Sequence, residues 1–333
     1  MISFVASGHV LFLDAASRAP VDCLRTSIGS TGFRQVHFAL PAPNDRYIGV
    51  ANQNGKMYER IDTDYATNTF VLNPANSIDL ATCTTPNGEP CQAPGIRPDN
   101  APICPVIEST SRFNFVTLRG GGLFVVDATT SPMTIVAEYD NDTVHPNGCL
   151  GAQVGDKMYI DSGGGTPTNL SEADLYAFPA TDFSPAYPPN TPAPFIVFSE
   201  DGSEDTDAHG ATLTKHLRYL WVADRGRNFF WVVDTDTDQV VNRIHLVGEV
   251  SDDPSPDLMM TAPNGSHIFA LLRGPHPLTA DPHVSTGSTP GVAVLKVIAG
   301  GRDGHFEAVA RVSNVDADGV DRADVHALTI RRK

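Results

Sequence analysis

Two stretches of the chain repeat one layout, and this internal repetition constrains the fold more than any single motif. Residues 219–246 read YLWVADRGRNFFWVVDTDTDQVVNRIHL, and residues 113–139 read FNFVTLRGGGLFVVDATTSPMTIVAEY. Each stretch has an apolar strand, an Arg-Gly turn, a second apolar strand that ends in Val-Asp, a polar turn and a third strand. A recurring unit of this size predicts a repeat architecture, in which each unit buries its apolar faces against its neighbours.

Six such units are recognised by their second strands, which serve as anchors for the alignment. No convincing helical period extends over ten residues, whereas strand signals recur between Gly- and Pro-containing turns. The anchor strands are 2–7, 47–52, 113–119, 158–162, 219–225 and 267–273. Short strands precede five of them, at 34–40, 103–108, 147–153, 209–215 and 257–262. The pattern predicts an all-β fold, a six-bladed β-propeller formed as a single domain over 1–333, with the strand that precedes each anchor innermost in its blade.

The two ends of the chain predict how such a ring would close. The anchor at 2–7 has no inner strand before it, and the strand-like segment 325–331 has no anchor after it. We therefore expect a Velcro closure, in which 325–331 supplies the inner strand of the first blade and removes two sheet edges. Seven blades are the alternative. A seventh would have to lie in 73–102, whose Pro, Asn and Cys content favours a loop insertion.

The repeats resemble the YVTN-type family of β-propeller repeats. The residues that carry the resemblance are VADRGRNFFWVVDTDTDQVV and VTLRGGGLFVVDATT. At the level of the repeat the resemblance covers most of the chain, and it is strongest at 103–139 and 209–246. It implies a propeller fold and says little about chemistry, because one fold supports many activities.

Charge and hydropathy exclude several classes of partner. The formal net charge of −16 argues against nucleic acid and anionic membranes, which both need a basic surface. No apolar run is long enough to predict a membrane span. The first residues, MISFVASGHVLFLD, lack a basic region and a cleavage pattern, so they predict a strand rather than a signal peptide.

The five cysteines leave the compartment open. Cys83 and Cys91 flank the turn-rich segment TTPNGEP, and a disulfide between them would favour an oxidising, extracytoplasmic location. Five reduced cysteines in a cytosolic protein are the alternative. The odd number of cysteines leaves at least one thiol unpaired in either case.

Five ligand-type side chains lie at or near the start of predicted inner strands, where the loops of a propeller meet the central channel. They are His37, His145, His209, Asp257 and His326. Neutral imidazoles together with a carboxylate predict a divalent transition-metal site for Zn, Fe, Cu or Mn. The alternative is structural, since a histidine at the start of an inner strand can simply bond backbone groups around the channel.

Acidic residues concentrate in the loops predicted between blades, at 140–146, 199–208, 248–257 and 313–324. A rim of this kind raises the local concentration of cations, and Ca²⁺ is one candidate, although the spacing of an EF-hand is absent. The alternative is a set of solvated turns, in which Asp is common for conformational reasons.

Basic and long-loop residues supply candidate substrate contacts. Arg119, Arg225 and Arg273 each end an anchor strand and precede Gly, so they predict either a clamp for a carboxylate or phosphate or ion pairs with acidic residues of the rim. The long loop 273–290 adds His276 and His283, and long loops in compact domains are often functional.

Together these patterns favour a metal-dependent enzyme that acts on a small molecule at the central channel. Hydrolase, lyase and oxygenase chemistry all stay open, because none of the common catalytic motifs occurs in the chain. Two alternatives are a non-catalytic propeller that binds a protein or small-molecule partner, and a metal-free enzyme that uses channel histidines as acid and base. The sequence does not fix the oligomeric state.

Overall fold

The structure is a computed structural model, and it describes residues 1–163, 172–186, 190–201, 206–278 and 285–330. Within these residues the only helical segments are two short 3₁₀ turns, Pro74–Asn76 and Ala299–Gly301, and the rest of the regular structure is β-strand. The predicted all-β class is confirmed. In the described part of the chain, no helix is long and apolar enough to cross a bilayer.

The described strands form six antiparallel sheets, and strands that are consecutive in the chain lie side by side, with one exception in the second sheet. The first sheet contains β1 (Ile2–Phe4), β2 (His9–Leu13) and β3 (Pro20–Arg25). The second contains β4 (Val36–Pro41), β5 (Tyr47–Asn52), β6 (Met57–Asp64) and β7 (Thr69–Leu72), with β8 (Ile78–Asp79) paired to β6. The third contains β9 (Pro102–Ile107), β10 (Phe113–Leu118), β11 (Leu123–Asp127) and β12 (Thr134–Tyr139).

The remaining three sheets have four strands each. The fourth contains β13 (Gly151–Val154), β14 (Lys157–Ser162), β15 (Glu172–Pro179) and β16 (Phe195–Asp201). The fifth contains β17 (Ala208–Leu213), β18 (Tyr219–Asp224), β19 (Phe229–Asp234) and β20 (Gln239–His245). The sixth contains β21 (Pro256–Thr261), β22 (His267–Leu272), β23 (Gly291–Ile298) and β24 (Asp303–Arg311).

The chain packs as two compact units. The first consists of Met1–Cys149, Gly155–Met158 and Phe178–Pro194, and the second of Leu150–Val154, Tyr159–Ala177 and Phe195–Lys333. The first unit therefore contains the first three sheets, and the second contains the fifth and sixth sheets and most of the fourth.

The predicted strand register agrees with the structure in five of the six repeats. The anchors become β5, β10, β14, β18 and β22, each the second strand of its sheet in chain order, and the strands predicted before them become β4, β9, β13, β17 and β21. The segment 73–102 holds the first 3₁₀ turn, β8 and a disulfide between Cys83 and Cys91, and it forms no separate sheet among the described residues.

The first sheet departs from the prediction. It has three strands with β1 at one edge, and the described residues 325–330 of the predicted closing segment form no strand. That segment is instead held by side chains of the second unit: the N–H of Ile330 donates to Met260 Sδ at 3.4 Å, and the His326 imidazole contacts Asp257 at 2.8 Å. The predicted Velcro strand is thus not observed in the described residues.

The fifth sheet shows why the middle strands are apolar on both faces. Trp221 and Val232 pack toward a cluster that includes Ile268 and Leu295 of the sixth sheet, whereas Val222 and Trp231 pack with residues of the fourth. All six residues of β19, FFWVVD, are buried. Alternate side chains therefore enter two different cores, and a continuous apolar run replaces the alternation expected of a half-exposed strand.

Burial on both faces predicts a large difference between valines of the middle and outer strands. Val222→Ala removes two methyl groups from a fully buried position and should lower the free energy of unfolding by about 2 kcal/mol. Val240→Ala on the outer strand β20, where 37% of the residue is exposed, should change it by less than about 0.5 kcal/mol. Urea denaturation of both variants measures the difference, and equal effects would show that the two faces of the sheet are not buried as described.

Candidate functional site

Irregular pairing at the start of β17 and β21 sets the direction of the candidate site residues. In β17 the ladder passes from Ala208 to Ala211 while its partner advances from Asp224 to Val222, so one extra residue is accommodated around His209. The same shift occurs around Asp257 in β21. β-Bulges of this kind interrupt the ladder and change the direction of side chains, and they are common beside active sites.

Gly210 allows the two bulged strands to approach closely. Its φ is +95°, and a Cβ atom at this position would lie 2.9 Å from the carbonyl oxygen of Asp257. Gly is therefore required both by the backbone conformation and by the space between β17 and β21. The result is that His209 and Asp257 lie side by side, with His326 of the C-terminal segment against the same carboxylate.

Asp257 is a fully buried carboxylate surrounded by positive groups. Its Oδ2 accepts from His326 Nδ1 at 2.8 Å, from Arg273 Nη1 at 3.0 Å and from Arg225 Nη1 at 3.5 Å. Burial alone would raise the pKa of Asp257, but its interactions with His326, Arg225, His209 and Arg273 outweigh burial and hold the pKa well below its usual range. The group is therefore an ionised carboxylate at neutral pH.

The other oxygen of Asp257 has a different environment. Oδ1 is buried and accepts no hydrogen bond from the described residues. It lies 3.7 Å from His209 Nε2, which is too long for a hydrogen bond. His209, Asp257 and His326, which we call the HDH cluster, each offer a ligand atom, and these atoms lie within 4.8 Å of one another.

The two arginines of the site are fully engaged by carboxylates. Arg225 donates from Nε and Nη2 to Asp207 at 2.9 and 2.6 Å, and Arg273 donates from Nε and Nη2 to Asp324, both at 2.7 Å. The remaining guanidinium nitrogen of each arginine, Nη1, contacts Asp257 Oδ2. Ion pairing of this kind is the alternative that the sequence predicts to a clamp for a carboxylate or phosphate. The three carboxylates outnumber the two guanidinium groups by one, so the network has a single negative charge when both histidines are neutral.

Asp207 and Asp324 are site residues that the sequence reasoning missed, since it counted them only among the acidic loops. A signal was present, because both occur as Asp-x-His: Asp207-Ala-His209 and Asp324-Val-His326. In each case the Asp binds an arginine that also contacts Asp257, while the His two residues later faces Asp257 itself.

The first unit holds two of the predicted metal ligands, His37 and His145. His37 lies at a bulge in β4, where its Nδ1 is 2.9 Å from the carbonyl oxygen of Ile103. His145 is half-buried in the turn region after β12. The second unit therefore holds three of the five predicted metal ligands: His209, Asp257 and His326. Metal binding by any of the five stays a prediction.

The predicted substrate contacts are also divided between the two units. Arg119 belongs to the first unit and pairs with Asp99 at 2.6 Å. His276 is exposed in the second unit, and His283 lies outside the described residues. A substrate role for Arg119, Arg225, Arg273, His276 and His283 stays a prediction, as does Ca²⁺ binding by the acidic loops.

Removal of one arginine should strongly destabilise the second unit. Arg273→Met leaves the buried Asp257 and the nearby Asp324 with less compensating charge, and loss of one partner of a buried ion pair typically costs about 3–5 kcal/mol. Arg218→Met is the matched control, because Arg218 also pairs with a carboxylate, Asp234, but is more than half exposed. Denaturation midpoints should fall for Arg273→Met and barely move for the control. A wild-type midpoint for Arg273→Met would contradict the network.

Comparison with known proteins gives the fold and no closer relationship. No protein-family model and no curated protein matches the sequence. Among solved structures, the chain is similar to a functionally unknown protein from Desulfotomaculum acetoxidans, with a TM-score of 0.57, 9% identity and coverage of 90% of this chain and 76% of that one. It is similar to hydrazine synthase of Kuenenia stuttgartiensis, with a TM-score of 0.57, 14% identity and coverage of 87% and 70%.

A third similar structure is a chain of the mitotic checkpoint complex, with a TM-score of 0.58, 11% identity and coverage of 95% of this chain and 77% of that one. Such low identities carry information on fold alone. The likeness shows that the chain has a β-propeller fold.

Proposed function

We propose that the protein is a metal-dependent enzyme in which the HDH cluster holds a divalent transition metal, Zn, Fe, Cu or Mn. The observation that carries the proposal is the buried Asp257 Oδ1, which accepts no hydrogen bond from the described residues and faces His209 Nε2 at 3.7 Å. A buried carboxylate oxygen without a donor is costly, and an ion between it and the imidazole would remove that cost.

The donor set fits such an ion. Imidazole nitrogen and carboxylate oxygen bind zinc at about 2.0–2.2 Å, so two ligands at tetrahedral angles lie about 3.4 Å apart. The observed 3.7 Å separation needs only a small adjustment to reach this value. Three protein ligands would leave coordination positions for water or substrate, which is the usual arrangement of a catalytic rather than a structural site.

The arginines support the carboxylate rather than compete with it as ligands. Arg225 and Arg273 both contact Oδ2, which leaves Oδ1 for the ion, and they keep Asp257 in the ionised form that metal binding requires. Their positive charge opposes a cation, but Asp207 and Asp324 offset it. The single excess negative charge of the network favours one added cation.

A metal at this position would polarise a substrate oxygen or activate a bound water or dioxygen. The substrate would be a small molecule, and hydrolase, lyase and oxygenase reactions are all compatible with the donor set. An anionic substrate would have to displace an aspartate to reach Arg225 or Arg273, because the nitrogens of both arginines are engaged.

A metal-free acid–base enzyme is the second candidate, and the contact between His326 and Asp257 favours it. The 2.8 Å hydrogen bond from Nδ1 orients the ring, and the ionised carboxylate would stabilise the imidazolium formed when His326 takes a proton. The His326 side chain is 21% exposed, so it is accessible to a small molecule.

For the architecture, we propose one blade for each of the six sheets, with repeats of the YVTN type. The supporting observation is that in five of the six sheets the anchor is the second strand in chain order and follows the strand predicted before it. The disulfides Cys83–Cys91 and Cys104–Cys149 support an oxidising compartment.

Metal analysis of single-residue variants tests the proposed centre. Wild-type protein from cells grown with Zn, Fe, Cu and Mn should retain a stoichiometric transition-metal ion and melt at a lower temperature after chelation. His209→Ala and His326→Ala each remove a ligand and should lower metal affinity by more than about tenfold, the loss that even an outer-shell partner can cause. Asp257→Asn should have the same effect. Elemental analysis and melting with and without chelator measure these changes.

His216→Ala is the matched control, because this histidine is exposed in the same unit. It should retain wild-type metal content. A folded wild-type protein that holds no metal and is insensitive to chelator would overturn the metal-dependent enzyme. A downfield imidazole N–H resonance that is lost in Asp257→Asn would then support the acid–base candidate, and its absence would leave the non-catalytic binding propeller.

A further inference from the structure

A second cluster of ligand-type side chains lies entirely in the first unit. Cys104 and Cys149 form a disulfide, with their Cα atoms 5.0 Å apart, and His37 Nδ1 lies 3.9 Å from Cys104 Sγ. One ligand atom from each of the three residues falls within 4.8 Å of the others. The HDH cluster of the proposed enzyme contains none of these residues, so this group is independent of it.

The positions of the three residues are set by backbone features other than the disulfide. His37 is the extra residue of a bulge in β4, and a register shift in the pairing of β9 with β10 accommodates Cys104. Thr117 of β10 links the two cysteine segments through hydrogen bonds. Its hydroxyl accepts from the N–H of Cys104 and donates to the carbonyl oxygens of Cys104 and of Gly148, which precedes Cys149. These contacts would hold the two sulfurs near each other after the S–S bond is opened.

The second disulfide provides a contrast. Cys83 and Cys91 are eight residues apart and close a local loop. Among the described residues, neither of these cysteines belongs to a group of three potential metal ligands. Of the two disulfides in the described part of the chain, Cys104–Cys149 is therefore the one that combines two sulfurs with an imidazole.

We propose that His37, Cys104 and Cys149 form a redox-gated site for a thiophilic metal ion, which is closed as the disulfide and open as the dithiol. A small dithiol supplies two electrons and two protons, so that the S–S bond becomes two thiols while the reductant becomes its own disulfide. Zn²⁺ then binds the two sulfurs and Nδ1 of His37, whose proton moves to Nε2 as the hydrogen bond to Ile103 opens, and the two thiol protons are released. Two thiolates and one imidazole are a donor set that zinc prefers.

The test uses the full chain and cobalt as a spectroscopic substitute for zinc. The protein is treated with dithiothreitol, the reductant is removed without oxygen, and opening of the disulfides is verified by thiol counting in denaturant. Co²⁺ should then give a thiolate-to-cobalt charge-transfer band that the oxidised protein lacks, and Zn²⁺ should abolish the band. Cys83→Ser/Cys91→Ser should keep the band, whereas Cys104→Ser/Cys149→Ser should lose it.

His37→Ala retains both cysteines, so it tests the site even where a cysteine variant does not fold. It should weaken Zn²⁺ binding by the reduced protein about tenfold or more. His209→Ala should leave the charge-transfer band unchanged, which separates this site from the proposed catalytic one. The proposal is overturned if the disulfide stays closed under reductant, if the reduced wild type shows no band, or if His37→Ala binds Zn²⁺ as tightly as the wild type.

Discussion

Burial of the middle strands on both faces is the constraint on which the rest of the structure depends. In β19 every residue is buried, and its alternate side chains enter two different cores. Such a strand has no solvent-facing side, and the ionisable residue of β19, Asp234, lies at its end. Asp224 likewise ends β18, and the arginine that follows it, Arg225, belongs to the candidate site.

At the strand ends, β-bulges turn ligand-type side chains out of the regular alternation between the two buried faces. The strands β4, β9, β17 and β21, each the first of its sheet in chain order, contain an irregularity in pairing at or beside His37, Cys104, His209 and Asp257 respectively. An uninterrupted ladder would place consecutive side chains on opposite faces of the sheet, where they would enter the apolar cores. The extra residue releases the side chain from that alternation, and it explains why chemically different residues occupy equivalent positions in four sheets.

Much of the fold could be predicted from the sequence, because apolar runs and turn residues depend on local chemistry. The anchors over 47–52, 113–119, 219–225 and 267–273 match strands of the structure within one residue. The closing strand over 325–331 was predicted from the same kind of pattern, yet its described residues are held by contacts with Asp257 and Met260. Tertiary contacts overrode the strand pattern there, and such contacts cannot be inferred from local sequence.

The candidate site could be predicted only in part, for a related reason. Position in the repeat identified His209, Asp257 and His326, because equivalent positions of a repeat meet in space. It did not show that Arg225 and Arg273 would each be shared between two carboxylates, since pairing depends on distances of a few ångströms. It also did not predict the Cys104–Cys149 disulfide, whose members are 45 residues apart.

The electrostatics of the HDH cluster follow from that sharing of arginines. A lone carboxylate at the depth of Asp257 would take up a proton rather than remain charged, and a protonated acid is a poor metal ligand and a poor support for an imidazolium. Two guanidinium groups reverse this preference, but alone they would leave excess positive charge that repels a metal ion. Asp207 and Asp324 remove that excess. Asp207 and Asp324 therefore allow Asp257 to act as a metal ligand or as the partner of an imidazolium. Both roles require the complete network of three aspartates and two arginines.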